Sequence, residues 1–348
     1  MRPLTILSVA FPMAPVSADA VGGAEQILSE IDKGLADRGH RSFVVACVGS
    51  KVTGTLIPTH SVEGRVTDEE WRTAHQSTRD AIAYALDRFP VELVHMHGLD
   101  FASYLPSGSV PVLATLHLPL SWYSEHALTC ARPKTYFHCV SQSQRSLSLT
   151  ATQFLPDIEN GVQTEFFQCS STFRKREFAL CLGRICPEKG FHIALRAAKK
   201  AGIAMFLTGQ VFPYDAHQRY FVEQIVPELD NCRRFIGPVT VRRKRRLLSA
   251  AKCLVVPSIV PETSSLVARE ALACGTPVVA FDRGALRDLV NHGKTGFLVS
   301  DETELPDAIR ACSSLDPEDC RKVARERFSS EVMVEKYLAS YKQILEAA

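Results

Sequence analysis

The sequence has no surplus of charge of either sign. Its 40 Lys and Arg against 38 Asp and Glu leave +2, which excludes the electrostatic footprint of a nucleic-acid-binding protein. It has no long apolar run. The best segment, Val110–Tyr123, is broken by Pro111, His117 and Pro119 and is too short to span a bilayer. It has no C-x-x-C pair, and its 11 cysteines are odd in number and stand mostly in apolar runs, as Cys47, Cys181, Cys253 and Cys274 do. That usage excludes a disulfide scaffold and points to buried, reduced thiols in a cytoplasmic protein. No G-x-G-x-x-G follows a strand-like run, which counts against a dinucleotide oxidoreductase. No D-x-D motif, internal repeat or low-complexity tract appears either. The start imitates a signal peptide, with Arg2 before an apolar Leu4–Phe11 and Ala18-Asp19-Ala20 beyond it. The same residues read better as a first strand entering the Gly22-Gly23 turn.

What is present is alternation. The 348 residues are 46% apolar and 22% charged, an ordinary globular balance and about two domains in length. Strands are predicted at Leu4–Ala10, Phe43–Val48, Glu92–Met96, Pro111–Leu116 and Phe137–Ser141. A second series runs Phe178–Gly183, Ala204–Thr208, Arg234–Ile236, Cys253–Val256, Pro277–Phe281 and Gly296–Val299. Helical spacing fills the gaps, as at Ile27, Leu28, Ile31 and Leu35, with Gly39 ending that helix. This pattern predicts an α/β protein of two doubly wound parallel-sheet domains. The domains are placed at 1–168 and 169–330, with a polar Ser170–Arg176 link. An amphipathic helix over 331–348, with Met333, Tyr337, Tyr341 and Ile344, is expected to pack back on the first domain. Ligands of such sheets sit beyond the strands' carboxyl ends.

Two strand ends carry chemistry. After Cys253–Val256 come Glu262 and, eight residues on, Glu270, around a helix start with Ser264 and Ser265 as N-cap candidates. The backbone N–H groups of Ser265, Leu266 and Val267 would face an anion there. Carboxylates beside a phosphate repel it, so the two acids are better explained as acceptors for hydroxyls on the same ligand, a combination that a nucleotide-sugar provides. The bland alternative is a loop acid and a solvated helix residue. After Phe178–Gly183 come Arg184 and Lys189. A lysine where a helix start prefers acids suggests a bound anion, gripped in a fork by Arg and neutralised by Lys.

Together these pieces resemble the retaining glycosyltransferases of family 4, the group 1 glycosyl transferases. The resemblance begins with Gly22-Gly23-Ala24-Glu25, Gly39-His40, Ala114–His117, Cys139-Val140-Ser141 and Glu159–Val162. It continues through Leu182-Gly183-Arg184 with Lys189-Gly190, Phe235-Ile236-Gly237, Val256-Pro257-Ser258, Glu262 with Glu270, Ala273–Val278 and Gly293–Val299. It implies the GT-B fold, two Rossmann-like domains facing across a cleft, with the acceptor side first and the donor side second. It implies that Arg184 and Lys189 hold a diphosphate, that Glu270 accepts from the ribose and that Glu262 accepts from the donor sugar. Main chain at Ser264, Ser265, Leu266 and Val267 would contact sugar and phosphate. Gly22 and Gly23 would approach a phosphate, His117 the sugar, and Gly237 to Val239 the base. The expected activity is retaining transfer from a UDP- or GDP-linked sugar to an unidentified acceptor, front-side, with no metal and no cofactor. The alternatives are a UDP-sugar epimerase or hydrolase of the same fold, or a sensor that binds without turnover. One departure stands out. Thr263-Ser264-Ser265-Leu266 replaces the family's aromatic and glycine, so a required positive φ would strain Ser265.

Other features have plainer readings. Gly293-Lys294-Thr295 lacks the upstream glycine of a P-loop and leads into a strand. His95 and His97 share one strand face and either bind a metal or are tied up by hydrogen bonds. The second is preferred, because no third ligand is apparent. Arg242–Arg246 is either a solvated helix start or a weak contact to an anionic membrane. Phe11, Trp71, Trp122 and Tyr123 are core or an acceptor pocket.

Overall fold

A computed structural model describes residues 2–60, 67–129, 132–147, 154–168 and 175–347. Most of the Ser170–Arg176 link lies outside the described residues. The chain divides into two compact units, Met1–Gly161 together with Ser330–Ala348, and Val162–Ser329.

In the first unit, β1 (Thr5–Val9), β2 (Arg41–Cys47), β3 (Thr55–Thr59), β4 (Leu93–Met96), β5 (Val112–Leu116) and β6 (Thr135–Cys139) form one parallel sheet in the order β3-β2-β1-β4-β5-β6. All five residues of β1 are buried, as a central strand covered on both faces requires. Helix α1 (Gly23–Asp37) buries the spaced residues Ile27, Leu28, Ile31 and Leu35. Helix α2 (Asp68–Arg88) opens on a capping box in which Thr67 and Glu70 satisfy each other's backbone N–H. The sequence pattern misses β3, which contains Pro58. Only an edge strand tolerates that proline, and β3 is the edge.

The second unit repeats the design with β7 (Phe178–Leu182), β8 (Ala204–Thr208), β9 (Arg233–Phe235), β10 (Cys253–Val256), β11 (Val278–Phe281) and β12 (Gly296–Val299). Its order is β12-β11-β10-β7-β8-β9, again all parallel. Counted within each unit, both sheets read 3-2-1-4-5-6, the doubly wound order. Helices α3 (Phe191–Ala201), α4 (Val241–Ala250), α5 (Leu266–Ala273) and α6 (Pro317–Arg327) flank it.

The last helix, α7 (Ser330–Ala347), belongs to the first unit and buries Met333, Tyr337, Tyr341 and Ile344. It lies against α1, where a Cβ on Gly34 would come within 2.5 Å of Val334 Cγ2, so only glycine permits the approach. The division at Gly161 precedes the expected boundary at 168. The intervening Val162 and Phe167 pack into the second unit's core with Phe178, Leu248 and Leu272, which sequence polarity alone did not reveal. Nine cysteines are described, all free thiols, and eight of them are buried. Among the described residues no helix is long and apolar enough to cross a membrane.

Candidate active site

In the second unit, β7 hands over to a loop that carries Arg184 and then Lys189 within a short Pro187–Lys189 turn. Gly190 follows at φ +62°, and a Cβ there would stand 2.3 Å from the Pro257 carbonyl. Only glycine lets this loop press against the one leaving β10. The Ile259 N–H donates to the Glu188 carbonyl at 2.8 Å and ties the two loops together. Lys189 Nζ consequently reaches Glu262 Oε1 at 2.6 Å, and the Ser258 hydroxyl donates to the same oxygen. Burial pushes the Glu262 carboxyl up, but the charge and hydrogen bond of Lys189, the Ser258 bond and the charge of Arg184 outweigh it. The group is held below its ordinary value. Arg184, Lys189 and Glu262 are thus one electrostatic cluster, and Arg184 remains exposed.

Glu270 lies one helix further in. It is 3% exposed on α5, and Lys244 Nζ donates to its Oε1 at 2.5 Å. Its Oε2 is buried without a partner. Burial raises the Glu270 carboxyl, and Lys244 opposes this only in part. Lys244 corrects the solvated reading of the basic run. Arg242, Arg243 and Arg246 are exposed, but Lys244 turns inward against Glu270 and the Phe167 ring, 5.5 Å away.

The start of α5 also differs from a simple capped helix. Ser265 is its N-cap at φ +60° and ψ +75°, and its hydroxyl caps nothing and is buried without a partner. A non-glycine residue in this left-handed region costs roughly 1–2 kcal/mol. Ser264 does not cap either. Its hydroxyl and carbonyl both accept from the guanidinium of Arg269, a fully buried side chain under which the Phe328 ring lies at 4.9 Å. The first N–H groups of α5, including those of Leu266 and Val267, have no carbonyl a turn earlier to bond, as at any helix start. Beyond β9, the Gly237 carbonyl accepts from Thr208 Oγ1 at 2.5 Å, and Val239 follows just before the Thr240 cap of α4.

In the first unit, Gly22 is the N-cap of α1 and Gly23 its first residue. The Glu25 carboxylate of the first turn folds over Gly22 into the space a Cβ would occupy, so this helix start already holds an acid. His117 follows β5 and joins a buried network. Its Nε2 shares a hydrogen bond with His97 Nδ1 at 3.0 Å. Next to it, Thr115 Oγ1 bonds His95 at 2.6 Å and His138 at 2.8 Å, and Tyr341 bonds the other His95 nitrogen at 2.8 Å. Tyr337 completes it, 3.3 Å from Thr115. Burial holds all four imidazoles neutral. His117 is lowered to about 3, His138 to about 4, and His95 and His97 fall well below the ordinary value. His95 and His97 are therefore hydrogen-bonded, to separate partners, and belong to no three-ligand group among the described residues. The hydroxyls of Thr115, Tyr337 and Tyr341 are the part the sequence did not announce. Of the aromatic candidates, Tyr123 is core at 6% exposure, Phe11 and Trp71 meet edge-on with ring centres 5.8 Å apart, and Trp122 is exposed.

Residues 162–327, nearly the whole of the second unit, match the family model of the glycosyl transferases group 1. Over 172 residues, 47% of this chain, the sequence is 33% identical to the D-inositol 3-phosphate glycosyltransferase of Mycolicibacterium smegmatis. Over 129 residues it is 35% identical to the enzyme of that name from Pseudarthrobacter chlorophenolicus. These matches span only 39% and 30% of the relatives' own length. Solved structures extend the likeness to the whole fold. Sucrose-phosphate synthase from Thermosynechococcus elongatus aligns over 99% of this chain and 100% of its own, with TM-score 0.79 and 21% identity. AviGT4, a glycosyltransferase involved in avilamycin A biosynthesis, aligns over 99% of both chains with TM-score 0.75 and 22% identity. Anabaena HepE, solved with UDP and glucose, covers 97% of this chain and 99% of its own at TM-score 0.75 and 19% identity. The fold is GT-B.

Proposed function

We propose that the protein transfers a sugar from a nucleoside diphosphate sugar to an acceptor, with retention at the anomeric carbon and in the cytoplasm. The observation that carries this reading is the Lys189–Glu262 pair at 2.6 Å, beside Arg184. It joins one cation and one acid at positions where the family motif expects diphosphate and sugar. With no donor present, the two neutralise each other. A diphosphate competes for Lys189 and releases Glu262 to accept from sugar hydroxyls. Arg184, Lys189 and the start of α5 stabilise charge developing on the leaving diphosphate, the term that dominates such transfers. The unpartnered Glu270 Oε2 suits a ribose hydroxyl. Main chain at Ser264 and Ser265 contacts sugar and phosphate, and Gly237 and Val239 hold the base. Gly22, Gly23 and His117 keep the contacts that the resemblance implies. A neutral His117 is a hydrogen-bonding group rather than a cation. The two cations do at the diphosphate what a divalent ion would do, so no metal is assigned there. The acceptor side lies in the first unit.

A donor panel tests this, with UDP-linked sugars first because HepE, of the same fold, was solved with UDP. Consumption of a donor should require an acceptor or be strongly stimulated by one. Conversion of a UDP-sugar to its epimer would make the protein an epimerase. Tight binding with no turnover under any acceptor would make it a sensor.

A further inference from the structure

The donor loop holds a second cluster that the transfer reading does not use. Cys186, Glu188 and His217 each bring one ligating atom within 4.8 Å of the other two, the one such three-residue group among the described residues. Cys186 and Glu188 flank Pro187, whose fixed φ stiffens the turn between them. His217 comes from the short helix Asp215–Tyr220, which packs on that turn. The same helix is anchored to α3 by the Tyr220 hydroxyl, which bonds His192 Nδ1 at 2.9 Å. The His217 Nδ1 atom is buried and takes no hydrogen bond. Cys186 is buried, His217 half-buried and Glu188 exposed, so the cluster opens to solvent on one side.

We propose that Cys186, Glu188 and His217 form a three-ligand site for a zinc-class divalent cation. A thiolate, an imidazole and a carboxylate are the ligand types zinc prefers, and three protein ligands leave the fourth position to water. Tetrahedral ligands stand about 3.5 Å apart, so the side chains must close by about 1 Å. Binding removes the Cys186 thiol proton to solvent, one proton per ion, and affinity therefore rises with pH. The bound ion clamps the Arg184–Lys189 loop to the helix at His217. The proposal stands independently of the transfer reading, since it needs only these three side chains.

Cobalt titration of the EDTA-treated full chain tests it. The wild type should develop a thiolate-to-cobalt charge-transfer band that saturates at one equivalent and collapses on adding Zn2+. Cys186→Ser should abolish the band, and His217→Ala should weaken cobalt binding at least about tenfold. Zn2+ should raise the Tm of the wild type and leave that of Cys186→Ser unchanged. No band in the wild type, an undiminished band in Cys186→Ser, or unchanged affinity in His217→Ala would each overturn the site. Should Cys186→Ser fail to fold, the half-buried His217 position carries the decision.

Discussion

The two units share a strand order and differ in how they hold polar groups at their strand ends. The second unit uses charge in pairs, Lys189 with Glu262 and Lys244 with Glu270, from separate loops and helices. The first uses neutrality, with four imidazoles, a threonine and two tyrosines hydrogen-bonded out of water's reach. Buried charges are costly unless paired or well hydrogen-bonded, while neutral polar groups are buried at a smaller cost. An ion pair can be broken by an incoming anion that takes one partner. A neutral network offers no such exchange and is better suited to fixing geometry. The fold supplies the frame, and the site residues decide what each frame does.

The largest expected effect tests the charged half. Lys189→Ala should lower turnover at least about a hundredfold, roughly 3 kcal/mol of lost transition-state stabilisation. It should also leave Glu262 without its cation, and because that cation helps hold the carboxyl low, donor binding should weaken most at acid pH. Near-normal turnover of Lys189→Ala would remove the lysine from the mechanism and leave the pair a structural bridge.

Acid tests the neutral half. His117 and His138 have folded pKa values of about 3 and about 4, below the unfolded value near 6.5. Between those limits the unfolded chain binds more protons than the folded one. Stability is therefore fully present above about pH 7 and falls as pH drops, by about 2 kcal/mol per histidine between pH 7 and 5. Thermal melts across that range should show the loss, and His138→Asn should flatten the slope. A slope identical in wild type and variant would mean that the network is not what acid attacks.

Much of this contrast was legible in the sequence. Apolar runs and turns gave eleven of the twelve strands, and the edge strand with Pro58 was lost because its proline reads as a break. Arg184, Lys189, Glu262 and Glu270 were legible because each follows a strand at fixed spacing. Their partners were not. Lys244 sits in a run of five basic residues of which Arg242, Arg243 and Arg246 are exposed and Arg245 lies over the Phe166 ring, and only tertiary packing selects the one that meets Glu270. Tyr337 and Tyr341 bear the helical spacing of core residues, and periodicity says nothing of where a hydroxyl ends. The Ser265 strain was readable from the departure at the family's glycine.

Lys244 separates charge from packing within the charged half. In Lys244→Met the Glu270 carboxyl, already raised by burial, loses the cation that opposes the rise. UDP should bind about tenfold more weakly at neutral pH, one charge-assisted contact's worth. The gap from wild type should widen as pH falls, because the Glu270 carboxyl without its cation protonates more readily. A gap that ignores pH would assign Lys244 to packing on Phe167 alone.

The smallest effect lies where the two designs come closest. Ser265 is a neutral residue in the charged half, held at φ +60° with a buried hydroxyl that bonds nothing. Ser265→Gly removes both costs, the backbone strain and the orphaned hydroxyl, against glycine's greater freedom in the unfolded chain. The balance should favour the variant by about 1 kcal/mol, seen as a Tm higher by a few degrees. If the serine is retained only for fold, UDP affinity should stay unchanged. If its hydroxyl turns to a donor group when the site fills, Ser265→Gly should be more stable yet bind the nucleotide-sugar more weakly while binding UDP equally well. That split would place Ser265 at the sugar. A variant less stable than the wild type would instead mean that the serine makes a compensating contact in the folded chain, and the strain argument for this helix start would fail.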